Sequence, residues 1–180
     1  MLKSPRLQKN KNAFTLLEVM IAIFVIVVGI VGTISLIQQT ISFIALSSSR
    51  LVASYLAQEG IEIVRNIRDG NWLETRTAPN PWDEGLTDCS GGCTADYKHS
   101  YGPNQLDPTL PAYSNQFLNI DVDGFYSYAT GSPTKFKRKI TIISDFDAGA
   151  PRLKVSVLVE WQQIGKTQQV TAQEYLYNWR

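Results

Sequence analysis

Residues 19–49 read VMIAIFVIVVGIVGTISLIQQTISFIALSSS, 31 residues without one charged side chain. At about 1.5 Å of rise per residue a helix over this run is roughly 45 Å long, longer than the ~30 Å hydrocarbon core of a bilayer. A removable secretory signal has an apolar region of about 7–15 residues followed by a small-residue cleavage site, so the run is too long for one. The core helix of a soluble domain is also disfavoured, because an all-round apolar rod of this length needs more covering protein than the remaining residues supply. The run predicts a helix that crosses a membrane.

What precedes it is basic. Lys3, Arg6, Lys9 and Lys11 stand before the apolar run with no acidic residue among them, although the net charge is only +1. The rest of the chain keeps 13 of the 17 basic side chains against all 16 acidic ones. By the positive-inside bias the leader stays cytoplasmic and the part after the helix lies outside. Nucleic-acid binding would need a basic patch on the folded part. The one short cluster there, Lys135, Lys137, Arg138 and Lys139, reads as a solvated strand face, and no nucleic-acid contact is expected.

No proline lies between Pro5 and Pro79, so nothing stops the helix at the membrane surface. After Arg50 it becomes amphipathic: Val52, Tyr55, Leu56, Ile63, Val64 and Ile67 recur near helical spacing, with Arg50, Gln58, Glu59, Glu62 and Arg65 elsewhere. Gly60 weakens it by about 1 kcal/mol relative to alanine; Gly29 and Gly32 do likewise or permit close helix approach. The helix is expected to end between Asn66 and Gly70. Residues 71–119, punctuated by Pro79, Pro81, Pro103, Pro108 and Pro111, read as loops. The period then changes to two over residues 135–144, 152–162 and 167–177, with Leu153, Val155, Val157, Val159 and Trp161 alternating with Lys154, Ser156 and Glu160. Residues 125–130 are a candidate preceding strand. The fold class is α+β: a long N-terminal hydrophobic helix whose C-terminal half packs on a small antiparallel sheet of three or four strands. The boundaries are a leader over 1–13, the helix over 14–68 and a globular head over 69–180.

Chemistry-bearing residues are few. Cys89 and Cys93 flank Ser-Gly-Gly; their even number and the export context suggest a disulfide, with free thiols the next reading. A zinc site needs about four ligands, and beyond these two thiols there is a single histidine, His99, which reads as a surface-loop residue. Asp121/Asp123 and Asp145/Asp147 could supply oxygen ligands to Ca²⁺, but neither matches the EF-hand loop and turn chemistry explains them at least as well. No HExxH, GxSxG, P-loop or CxxC pattern occurs. No enzyme activity, cofactor or metal is expected.

The most specific feature is the junction Lys11-Asn12-Ala13-Phe14-Thr15-Leu16-Leu17-Glu18, placed directly before the apolar run. It resembles the processing site of type IV prepilins, in which a basic leader ends in a small residue and is followed by Phe, Thr-Leu-x-Glu and a hydrophobic helix. Ala13 stands where that family usually has Gly. The resemblance is strong over residues 9–65. It implies the pilin fold, cleavage between Ala13 and Phe14 by a prepilin peptidase, N-methylation of Phe14, and assembly with other pilin subunits in a helical filament through an inner-membrane platform. Residues 155–179 look most like minor pilins of the PilV type or the pseudopilins of type II secretion. An uncleaved single-pass membrane protein with a binding or sensor head is the rival from another class. Glu18 reads either as a mark of the helix entrance near the head groups or as a group with a part in assembly. A carboxylate within the bilayer costs on the order of 2.5–3.5 kcal/mol, and the new amine on Phe14, four residues away on one helix face, or that of a neighbouring subunit, offers it a cationic partner.

Overall fold

The computed structural model describes residues 15–73, 81–99 and 109–178. Ala13 and Phe14, like Pro79, Pro103 and Pro108, lie outside the described residues. The chain divides into two compact units, Met1–Ala45 and Leu46–Arg180, and one helix, α1 (Leu16–Leu73), contributes to both.

In the first unit every described residue is exposed. α1 is long and apolar enough to cross a membrane, and none of its most apolar stretch is buried. Three of its hydroxyls are satisfied within the helix. The hydroxyls of Thr33, Thr40 and Ser42 donate to the carbonyls of Gly29, Leu36 and Gln38, each one turn back, at 2.9, 2.9 and 3.0 Å. A hydroxyl bonded this way carries no unmet donor into an apolar medium. No heavy atom lies within 4 Å of where a Cβ would stand on Gly29 or Gly32.

The second unit is the head. Three long strands, β4 (Phe136–Asp147), β5 (Ala150–Gln163) and β6 (Lys166–Tyr177), form an antiparallel sheet in the order β4-β5-β6. Two-residue turns join them: Ala148-Gly149 with φ 49° and 88°, and Ile164-Gly165 with φ 52° and 68°. Positive φ at both turn positions gives the primed geometry that matches strand twist. The core face alternates as the sequence predicts, with Leu153, Val155, Val157, Val159 and Trp161 at 0–2 % exposure. The candidate strand before β4 is not part of this sheet. Tyr126–Ser127 (β2) pairs with Asn119–Ile120 (β1), which also pairs with Ser132–Pro133 (β3), in a separate small sheet. It is held there by Asp96, whose carboxylate accepts the Tyr128 N–H at 2.9 Å, and by the Tyr128 hydroxyl, which donates to the Arg138 carbonyl at 3.0 Å.

Within the head α1 buries Ala53, Leu56, Ala57, Gly60, Ile61, Val64 and Ile67 against the sheet. The stripe differs from the predicted face in one respect. Tyr55 is 63 % exposed, because two residues from Ala53 at 100° each put it on the opposite side of the helix. Small residues take the contact instead because the helix sits close: a Cβ on Gly60 would come within 2.8 Å of Val157 Cγ1. The helix also continues past the expected end. Its last turn is anchored from outside, with the Asn71 side-chain amide donating to the carbonyls of Trp82 and Glu84 at 3.2 and 3.0 Å and Trp72 stacked on Trp82. Beyond the end of α1, the one helical element among the described residues of the expected loop region is a 3₁₀ turn at Thr87–Cys89.

Candidate functional site

Thr15, the first described residue of the junction that resembles a prepilin processing site, caps α1. Its hydroxyl accepts the Glu18 N–H at 3.3 Å, and its carbonyl accepts the Val19 N–H at 3.2 Å. Thr-x-x-Glu at a helix start is the capping-box pattern, and its Thr15 half is formed here. The Glu18 carboxylate stands in the first turn, where the helix dipole favours an anion. Leu16 and Leu17 beside it are 79 % and 68 % exposed. The junction presents an open, apolar helix start with one acidic group on it.

In the head the structure joins Cys89 to Cys93, with Cα atoms 5.3 Å apart. The small loop they close lies along the outer edge of β4. Cys93 exchanges backbone bonds with Ile140, N–H to O at 2.7 and 3.0 Å, while Thr94 N–H donates to the Pro111 carbonyl and Tyr113 N–H to that of Gly92. A strand edge left bare would template pairing with another chain, and this loop pairs with it at Ile140.

His99 is less peripheral than its sequence context suggests. Its Nδ1 lies 2.8 Å from the Asp96 carboxylate, and Asp96 is only 3 % exposed. The backbone N–H of Asp96 points to the same nitrogen, at 3.2 Å, so the ring is held by its neighbour from two sides. Burial by itself would raise the Asp96 pKa, but the His99 contact and the N–H groups of Tyr128 and Lys98 outweigh it and hold the group at about 2. The cluster ties the loop around residue 97 to the small sheet. It is a brace built on a buried carboxylate.

The two acidic pairs are engaged by protein donors. One Asp121 oxygen accepts the backbone N–H of Asp123 and of Phe125, both at 3.0 Å, and the other accepts the Tyr97 hydroxyl at 2.7 Å. Arg152 bridges Asp145 at 2.7 Å and Asp147 at 3.0 Å and lies 4.3 Å from the Tyr175 ring centroid. These are turn and ion-pair arrangements, and among the described residues no group of three or more His, Cys, Asp or Glu is placed to hold a metal ion.

Arg138 corrects the sequence reading of the basic cluster. Lys137 and Lys139 are partly exposed, whereas Arg138 is fully buried. Its guanidinium donates to the Leu56 carbonyl at 2.9 Å, to Glu59 at 3.0 Å and to the Ala95 carbonyl, linking α1, β4 and the loop after the disulfide. A signal for this existed, since Phe136, Arg138, Ile140 and Ile142 share one parity along the strand. A depression of about 450 Å³ nearby is lined by Glu59, Glu62, Arg65, Asn66, Asp69 and Tyr97 and is open to solvent. Its glutamates are paired with Arg138 and Arg65.

Residues 8–34 match a family described as the prokaryotic N-terminal methylation motif. No curated protein and no solved structure matches the chain. An apolar N-terminal helix, a small antiparallel head and this motif together define a type IV pilin-like α+β protein. At its N-terminus the chain carries the type IV prepilin-like signal, which points to a structural protein made for assembly with other pilin subunits and for processing by a prepilin peptidase.

Proposed function

We propose that the chain is a structural, minor subunit of a type IV pilus or pilus-like filament. In this reading it is inserted in the cytoplasmic membrane with residues 1–13 inside and the head over residues 69–180 outside. It is cleaved before Phe14, methylated on the new amine, and drawn into the filament through the helix over residues 14–68 by an inner-membrane platform. The observation that carries the reading is the methylation motif at residues 8–34, set at the start of a helix whose apolar stretch has no covering in the chain itself. Such a surface needs lipid first and other apolar helices afterwards. The Cys89–Cys93 bond, closed on the head, suits an oxidising compartment.

Mass spectrometry of the N-terminus of protein recovered from cells that possess the peptidase tests it. The expected species begins at methylated Phe14. A chain that retains Met1 in those cells excludes the filament-subunit reading and leaves a permanently anchored membrane protein.

A further inference from the structure

The bonds that hold α1 to the sheet tell the two ends of the head apart. At one end the Lys135 ammonium donates to the Ser49 hydroxyl at 2.6 Å and to the Gln163 side-chain oxygen at 3.3 Å. Further along, Arg65 meets Glu174 at 2.6 Å, and Glu174 is the partner of Val155 across the sheet. Residues 49 to 65 of a helix span about 24 Å, and residues 155 to 163 of a strand about 26 Å. Strand β5 therefore runs alongside α1, and the Ile164-Gly165 turn that follows Gln163 stands at the Leu46 end of the head. Leu46 is also where the head begins, directly after Ala45. At about 1.5 Å of rise per residue the uncharged stretch over residues 19–46 is about 42 Å long, the ~40–45 Å of a bilayer with its head groups. A bilayer that takes up this whole stretch has its outer head groups at Leu46.

The side chains at this end are basic and, at the turn, apolar. Over residues 46–50, 134–137 and 160–167 the charged residues are Arg50, Lys135, Lys137 and Lys166 against Glu160 alone. Arg50, Lys135 and Lys166 are exposed, and among the described residues none of the three forms an ion pair. The turn itself carries Ile164, 76 % exposed and at φ 52°. Left-handed backbone crowds a side chain, most of all a β-branched one, and the first position of a primed turn usually holds asparagine, aspartate or glycine. Ile164 thus goes against backbone preference and gains no burial within the head. Such a double departure from local rules is expected where a surface serves function.

We propose that this end of the head docks on an anionic lipid surface, with Ile164 in the head-group layer and Arg50, Lys135 and Lys166 on lipid phosphates. The proposal rests on the reading of α1 as a membrane anchor. Each cation near an anionic leaflet adds attraction, and the isoleucine loses there the water contact it keeps on the free head.

A fluorophore on one introduced thiol tests this in the full-length chain reconstituted into vesicles, since the two native cysteines are joined to each other. Label on Thr167→Cys, beside the turn, is expected to be quenched by lipid carrying a head-group nitroxide in vesicles of phosphatidylcholine with a third phosphatidylglycerol. Label on Ala148→Cys, in the turn at the other end of β5, is expected to be quenched at least tenfold less. Vesicles of phosphatidylcholine alone are expected to lower docking at least fivefold. Adding Lys166→Gln to Thr167→Cys is expected to lower it about fivefold, the effect of one cation at an anionic surface, while Lys166→Arg leaves it unchanged. Ile164→Asn separates docking from a merely structural turn. It suits the primed turn better and is expected to raise the melting midpoint of the head while lowering quenching at residue 167 severalfold. Equal quenching at residues 167 and 148 overturns the proposal while the anchor stands. So does quenching at 167 that is indifferent to phosphatidylglycerol or to Ile164→Asn. A chain that fails to float with the vesicles overturns the anchor, and the proposal with it.

Discussion

Glu18 and Arg138 are both charges set on largely apolar elements, and the chain manages them in opposite ways. Arg138 is paired inside the head with two carbonyls and Glu59 through its two terminal nitrogens, while its buried Nε has no hydrogen-bond partner. Removing one member of a buried ion pair costs about 3–5 kcal/mol, whereas an apolar side chain of similar volume can replace it at little cost. Arg138→Ala is therefore expected to lower unfolding stability by about 3 kcal/mol or more, and Arg138→Met by less than half as much, measured by denaturant melts of the solubilised chain. Glu18 is instead exposed at the first turn of a helix that fits a membrane anchor. Glu18→Ala keeps the Thr15 cap, because the bond is made by the backbone N–H of residue 18. It also removes a carboxylate whose insertion costs on the order of 2.5–3.5 kcal/mol at mid-membrane. Membrane fractionation is expected to show undiminished insertion of Glu18→Ala, while its recovery in sheared filaments falls at least tenfold, since the amine of Phe14 would be left as a buried charge without its partner. Equal filament recovery of wild type, Glu18→Ala and Glu18→Gln would remove Glu18 from assembly.

The brace formed by Asp96, His99 and Tyr128 makes the attachment of the small sheet depend on acid. The Asp96 carboxyl is held at about 2 in the folded chain against 3.8 as its ordinary value. A depressed carboxyl pKa contributes stability that is fully present above the unfolded value and is lost as pH falls through the folded one. The head is expected to lose on the order of 2 kcal/mol between about pH 4 and pH 2 through this group. Asp96→Asn should flatten that part of the stability profile and lower the plateau above it, as read by chemical denaturation at stepped pH. The sequence could not disclose this element. Asp96 and Tyr128 are 32 positions apart, and no periodicity connects a loop carboxylate with the backbone of a short strand. The long strands were legible for the opposite reason: alternation is written into neighbouring residues of β5, and its turns need only two positions each.

At the scale of the molecule, the two units have separate reasons to be ordered. All the buried residues of α1 lie from Ser49 onward, and the core cluster draws only on residues of the second unit. A chain beginning at Leu46 is expected to be soluble without detergent and to unfold cooperatively, with strand content retained in far-ultraviolet dichroism. An aggregated or non-cooperative product would show that the apolar segment is needed for the head to fold. What the sequence determined by itself was the membrane-fit helix, the N-terminal methylation motif, the fold class and the alternating faces of β5. Each is a local property, fixed by hydropathy, cap chemistry or a two- or 3.6-residue period within a few turns of chain. Only the tertiary structure decided that Arg138 turns inward while its lysine neighbours stay at the surface. It also decided that Tyr55 faces away from the sheet, that residues 126–127 belong to a second sheet, and that the disulfide loop pairs with the outer edge of β4 at Ile140. Those outcomes depend on which surfaces meet across tens of residues, where burial and hydrogen-bond satisfaction select the partner and local propensity is silent.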